Sequence, residues 1–186
     1  SSPFDFTAVD FLVKLNCPIY KIASFEITDI PLIEYVASKG KPIIISTGIA
    51  EIQDIELAIS ACKSQGNNDI TILKCTSAYP SDPADANLKT IADIQKRFNV
   101  KVGLSDHTMG NLVPILSIAM GAKVIEKHFI LNHDVGGPDA SFSLDEKEFT
   151  ALVNDVRNAE RAIGKETFEL TEKQISGRRY GRSIYV

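Results

Sequence analysis

One pattern recurs along the chain: a short β-branched run, a small polar terminus, then a helical stretch. The runs are IYKIAS (19–24), PIIIST (42–47), ITILKCT (70–76), KVGLSDH (101–107) and KVIEKHF (123–129). The segments between them are amphipathic. In EIQDIELAISACKSQG, Ile52, Ile55, Ile59 and Cys62 form an apolar stripe, as do Leu88, Ile91, Ile94 and Phe98 in ANLKTIADIQKRF. Gly40 closes the helix of IEYVASKG. Strand, helix and strand at this spacing predict parallel βαβ units. A last helix is expected from about Ser143, which has capping-box spacing to Glu146, to Gly164.

Such units build either an open doubly wound sheet or a barrel. A Rossmann-type sheet needs a glycine-rich turn after a strand, and GxGxxG does not occur. Polar residues recur instead at the C-terminal ends of successive runs: Lys21 and Ser24, Ser46 and Thr47, Ser77, Ser105 and His107, Glu126 and His128. A barrel assembles its site from many strand ends in this way. The fold expected is therefore α/β, the later part of a (β/α)8 TIM barrel. About strands 4–8 would be present and the first strands missing, with SSPFD as the end of a further strand. Residues 1–165 form this partial barrel. Residues 166–186 break the rhythm and read as a linker.

Composition narrows the partners. A net charge of −4 gives no general attraction for nucleic acid or an anionic membrane, so an anionic substrate needs local lysines or a metal. No apolar stretch reaches the roughly 20 residues that span a bilayer. The N-terminal residues lack the basic and apolar regions of a signal peptide. Three cysteines without CxxC spacing indicate neither a disulfide framework nor a zinc site, which suits a reducing cytoplasm.

Alternation along strands puts Gly103, Ser105 and His107 on one side, and Val124, Glu126 and His128 on one side of the next strand. A single histidine on an apolar strand is usually structural. Two at matched ends of adjacent strands point to one divalent metal. His133, in the following loop, reads as solvated. Lys21 interrupts an apolar strand, where it would be an anion-binding charge or a Schiff-base nucleophile. Ser24, Ser46 and Ser105 at neighbouring strand ends favour the anion. Cys75 reads as packing. In the loop NHDVGGPDASFS (132–143), Gly136, Gly137 and Pro138 carry Asp139 towards the same face.

Together, SSPFD, YKIASFE, PIIISTG, LKCTSAYP, NLKTI, VGLSDHTMG, GAKVIEKHF and GGPDASFSL resemble the sialic acid synthase family. These enzymes condense phosphoenolpyruvate with an acetamido sugar. The resemblance implies that His107 and His128 bind the divalent metal, manganese or magnesium, with Glu126 beside them as a catalytic group. It implies that Lys21, Ser24, Ser46, Ser105 and Ser2 hold phosphoenolpyruvate. Tyr79, Glu126 and Asp139 would meet the sugar, and Ser77 would also bind substrate. Ala140, where a histidine is usual, and Ser77, often asparagine, depart towards the branch that uses a 2,4-diacetamido-2,4,6-trideoxyhexose. RRYGRSIYV resembles the junction to the family's small C-terminal antifreeze-like domain, and the resemblance implies a homodimer for the full-length protein. Two rival readings stand beside it: a Schiff-base aldolase acting through Lys21, and a non-catalytic sugar- or metal-binding module.

Overall fold

β-Branched side chains are stiff at χ1 and pack well on a pleated surface. The five runs rich in them become the five strands. The computed structural model describes residues 1–178, 180 and 181. Its strands are β1 (Tyr20–Ile22), β2 (Ile43–Ser46), β3 (Ile70–Cys75), β4 (Lys101–Asp106) and β5 (Val124–Lys127). They form one sheet in the order β1-β2-β3-β4-β5, every pair parallel. A doubly wound sheet reverses its strand order at a switch point, whereas sequential order is that of a barrel wall. This wall curls: Lys21 on β1 and Glu126 on β5 form an ion pair of 3.2 Å between opposite edges. The structure is a five-stranded half-barrel.

The helices lie along one side of the wall, except the last one described, which is exposed throughout. They are α1 (Phe6–Lys14), α2 (Ile30–Ala37), α3 (Ile52–Ser64), α4 (Lys89–Phe98), α5 (Leu112–Ala119), α6 (Glu146–Ile163) and α7 (Glu172–Arg178). Ile22, Ile43, Ile45, Ile70 and Ile72 face them and are at most 1% exposed, packed with Ile33, Val36, Ile55, Ile59, Ile91 and Ile94. Each such burial contributes about 1.5–3 kcal/mol. The intervening residues face the concave side.

Helix starts follow local chemistry. Asp5 caps α1 by accepting from Ala8 N at 2.8 Å, and Asp29 caps α2 by accepting from Leu32 N at 3.1 Å. The start expected at Ser143 is corrected. α6 begins at Glu146, and its capping box joins Asp145 to Glu148 through two bonds of 2.9 Å. Ser143 is spent elsewhere, donating to the Asp139 carbonyl at 2.7 Å, and Leu144 runs extended beside Phe129.

The opening SSPFD, expected to end a further strand, is not a strand here; Ser1 and Ser2 lie against β1 and Asp5 already caps α1. Lys21 N donates to Ser1 O at 2.8 Å, and Ser2 Oγ donates to Lys21 O at 3.0 Å. Every described residue from Glu160 onward is exposed, α7 included. Of the junction RRYGRSIYV, residues 179 and 182–186 lie outside the described residues.

Candidate active site

The concave side carries the strand-end polar residues. β4 and β5 are in register with Ser105 opposite Glu126. Gly103 permits this approach, since a Cβ there would sit 2.3 Å from the Val124 carbonyl oxygen. Glu126 Oε1 accepts from Ser105 Oγ at 2.8 Å and pairs with Lys21 Nζ at 3.2 Å. The lysine is well buried and the glutamate about half exposed.

One position further on, His107 and His128 bring their rings to 5.2 Å between centroids. Tyr79 stacks on His107 at 4.3 Å, and Phe142 lies 5.0 Å from His128, giving the imidazoles an aromatic wall. His107 Nδ1 is 2.9 Å from the Thr76 carbonyl, which can only accept, so that nitrogen holds the proton. His128 Nδ1 is 3.4 Å from Asp139 Oδ2, the residue the glycine-rich loop was expected to deliver. His107 is thus left with Nε2 as the available donor. Burial lowers the pKa of His128, and neighbouring His107 lowers it further. Burial alone would lower His107 too, but bonds to the Cys75 thiol and Thr76 carbonyl bring it above its ordinary value. The donor types suit a divalent cation: two imidazoles, that of His107 with its Nδ1 proton held by a carbonyl, with Glu126 and Asp139 nearby.

A second group of small polar residues surrounds Gly48. Its N–H donates to Ser24 Oγ at 2.8 Å. A Cβ at Gly48 would fall 2.0 Å from Ser77 Oγ, 2.7 Å from Ser24 Oγ and 3.1 Å from Cys75 Sγ. Ser46 Oγ and Ser77 Oγ are buried without a hydrogen-bond partner. Buried hydroxyls of that kind are costly unless a ligand engages them. Burial raises the Cys75 thiol, but bonds from His107, Ser24 and Ser105 outweigh it and bring the thiol below its usual value.

Of the residues singled out from sequence, Lys21, Glu126 and Ser105 are linked through direct contacts, as are Tyr79, His107, His128 and Asp139. Ser24, Ser46 and Ser77 stand at the neighbouring strand ends. Ser2 is turned onto the Lys21 backbone instead. Sequence reasoning missed Glu26, Gly48 and Phe142. Glu26 is buried, with Oε2 accepting from Ala23 N at 2.8 Å and Oε1 lacking a partner, and burial raises its pKa. Its position two residues after Ser24 was the available signal.

His133, Asp145 and Glu148 also bring ligand-type atoms within 4.8 Å of one another. Each is already engaged. His133 bridges Ala140 O at 3.0 Å and Glu148 Oε2 at 3.2 Å, while the two acids cap α6. The cluster reads as a strut under the loop.

Comparison with known proteins places this arrangement. A pseudaminic acid synthase of Helicobacter pylori is 49% identical over 187 residues, covering all of this chain and 55% of the relative. An N,N'-diacetyllegionaminic acid synthase of Legionella pneumophila is 42% identical, covering 88% of this chain and 47% of the relative. The chain spans about half the length of the curated relatives it matches. Among solved structures, an N-acetylneuraminic acid (sialic acid) synthetase from Leptospira borgpetersenii in complex with citrate superposes with a TM-score of 0.88. It is 32% identical, and the match covers 98% of this chain and 64% of that one. A DAHP synthase from Thermotoga maritima, at 18% identity and a TM-score of 0.76, shares the fold. The NeuB family matches residues 1–168, which include every strand and every strand-end residue described above, and the chain belongs to that family.

Proposed function

We propose that this chain carries the core of a pseudaminic acid synthase. The reaction would join phosphoenolpyruvate to 2,4-diacetamido-2,4,6-trideoxy-altrose and release phosphate by C–O cleavage. The observation that carries the reading is the convergence of Lys21, Ser105, Glu126 and two imidazoles at one end of the half-barrel. The choice of sugar is supported by the 45–49% identity to pseudaminic acid synthases and by Ala140 in the loop.

Lys21 supplies positive charge to an otherwise acidic chain and sits where a carboxylate or phosphate would be drawn. The Ser24 and Ser77 hydroxyls crowded around Gly48, with that of Ser46 at the neighbouring strand end, suit an anion's oxygens. Tyr79 and Phe142 exclude water from one flank, and Asp139 accepts from sugar hydroxyl or amide groups. A divalent cation, manganese or magnesium, held by His107 and His128 would supply Lewis-acid polarisation of the open-chain sugar aldehyde. Glu126, bonded to Ser105 and Lys21, would hold or pass a proton beside the reacting carbon. The enol carbon of phosphoenolpyruvate attacks the aldehyde, water adds at C2, and phosphate leaves. The product is a nine-carbon 2-keto acid.

The proposal extends to the surroundings. Residues 1–165 would belong to a closed (β/α)8 barrel and 166–186 would link it to a further domain. The protein would act as a homodimer in the cytoplasm. No described helix is long and apolar enough to cross a membrane. A second reading, an N-acetylneuraminate or legionaminic acid synthase on the same scaffold, is favoured by the 42% identity to the Legionella enzyme.

The test uses the natural full-length protein with phosphoenolpyruvate labelled by ¹⁸O at the C2–O bridge. Sugar-dependent release of phosphate carrying the label, lost with chelator and restored by manganese, supports the proposal. Unlabelled phosphate, or trapping of a pyruvate adduct on Lys21 by borohydride, would sink it.

A further inference from the structure

Behind the two imidazoles, on the helix-facing side of the wall, lies an ion pair. Asp106 and Lys127 are register partners on β4 and β5, and Lys127 Nζ meets Asp106 Oδ2 at 2.6 Å. The side chains are only 1% and 2% exposed. All three ammonium protons are placed, the others on Thr108 O and Gly110 O. Asp106 Oδ1 in turn accepts from Thr108 N at 3.1 Å and Thr108 Oγ1 at 2.9 Å.

A buried ion pair is weak as a source of stability, because two matched neutral side chains of similar volume usually do as well. Its geometry is the more telling feature. Asp106 directly precedes His107, and Lys127 directly precedes His128. Thr108, bound by both charges, follows His107. The network therefore clamps the backbone on both sides of one imidazole and immediately before the other. It also ties the turn after β4 to the end of β5.

We infer that Asp106 and Lys127 form a positioning pair that fixes the separation of His107 and His128, acting from behind the site without touching a ligand. The inference rests on the reading of those histidines as ligands of one divalent cation. It predicts that cation affinity follows the ion pair, whereas fold stability follows charge matching.

The experiment measures Mn²⁺ binding to the natural full-length protein by the electron paramagnetic resonance signal of the free ion, with thermal unfolding recorded alongside. Lys127→Met and the matched double variant Asp106→Asn with Lys127→Met are compared with Lys127→Arg and with His107→Ala as control. Loss of a buried partner can unfold Lys127→Met, so the double variant carries the decision. It is expected to melt within a few degrees of the natural protein yet bind Mn²⁺ about 10–100-fold more weakly, the range typical of groups that orient metal ligands. Lys127→Arg should recover part of the loss. Phosphoenolpyruvate binding measured without metal should stay within about threefold, on the ground that the pair lies behind the sheet. A folded double variant with Mn²⁺ affinity within about twofold of the natural protein would overturn the positioning role. Unchanged Mn²⁺ binding in His107→Ala would instead overturn the cation reading, and the inference with it.

Discussion

Lys21 and Glu126 stand on the first and last strands of the sheet, yet their charged groups are 3.2 Å apart. In a flat sheet, four inter-strand steps would separate the strands by about 19 Å. Two side chains cannot span that distance and also leave the lysine well buried. The curl of the wall creates the pair, and the pair in turn fills the concavity that the curl produces.

Glu126→Gln should separate stability from chemistry. With the glutamate about half exposed, the ion pair contributes at most about 1 kcal/mol, which corresponds to a melting shift of about 2–4 °C. An acid–base role would instead cost about 10²–10⁴-fold in turnover. Thermal unfolding and phosphate release, measured on the same preparation, check both. A variant that keeps near-normal turnover removes Glu126 from the chemistry.

Gly48→Ala tests the cluster of serines. The added methyl would collide with Ser77 Oγ and Ser24 Oγ, both ends of short side chains, so the fold should survive at a cost of about 1–3 kcal/mol. The KM for phosphoenolpyruvate should rise about tenfold or more, equivalent to roughly 1.4 kcal/mol of lost binding. An unchanged KM would mean that the anion binds elsewhere.

His133 makes the loop sensitive to pH. Its bond to Glu148, then its bond to Ala140 O, raise its pKa, with Asp145 adding attraction and slight desolvation opposing. A group raised on folding holds its contribution below its ordinary value of about 6.5 and loses it as pH climbs through the folded value. Loop 132–143 should therefore become easier to cleave as pH rises above that range. His133→Gln should flatten the dependence. Limited proteolysis at the Gly136–Gly137 segment reads it, and a pH-independent cleavage rate in the natural protein would contradict it.

The sugar is tested by competition. The natural full-length protein should prefer a 2,4-diacetamido-2,4,6-trideoxyhexose over N-acetylmannosamine in kcat/KM, on the ground of its identity to pseudaminic acid synthases and the small Ala140 after Asp139. A preference of a few-fold for N-acetylmannosamine would favour the second reading.

The strands and their inward faces were legible because a period of two survives in any sequence whose two faces meet different surroundings. Ser105, His107, Glu126 and His128 could be assigned to one side on that ground. Glu26 could not, because it lies in a short 3-10 turn beyond β1 where the alternation has ended. α1 escaped notice for a different reason: Val9 and Leu12 meet the core, but Phe11 and Val13 put exposed apolar residues on its other side and blur the stripe. Ser143 and Asp145 each precede a glutamate by three residues, and local sequence cannot choose between the two caps. The choice came from the loop, where the Ser143 hydroxyl donates to Asp139 O instead of capping a helix. The Lys21–Glu126 pair depends on curvature, which no local pattern encodes.

More than half the chain separates Lys21 from Glu126 in sequence. Contacts between such distant segments are late events, since the closure entropy of the intervening loops must be overcome before they are rewarded. An intermediate with β2, β3 and β4 docked would already hold most of the isoleucine core but neither member of this pair. The polar end of the half-barrel therefore takes its final form in the last steps of folding, once the outermost strands have joined. A probe that responds only to the lysine–glutamate contact would time the completion of the fold, while amide protection in β3 would time its beginning.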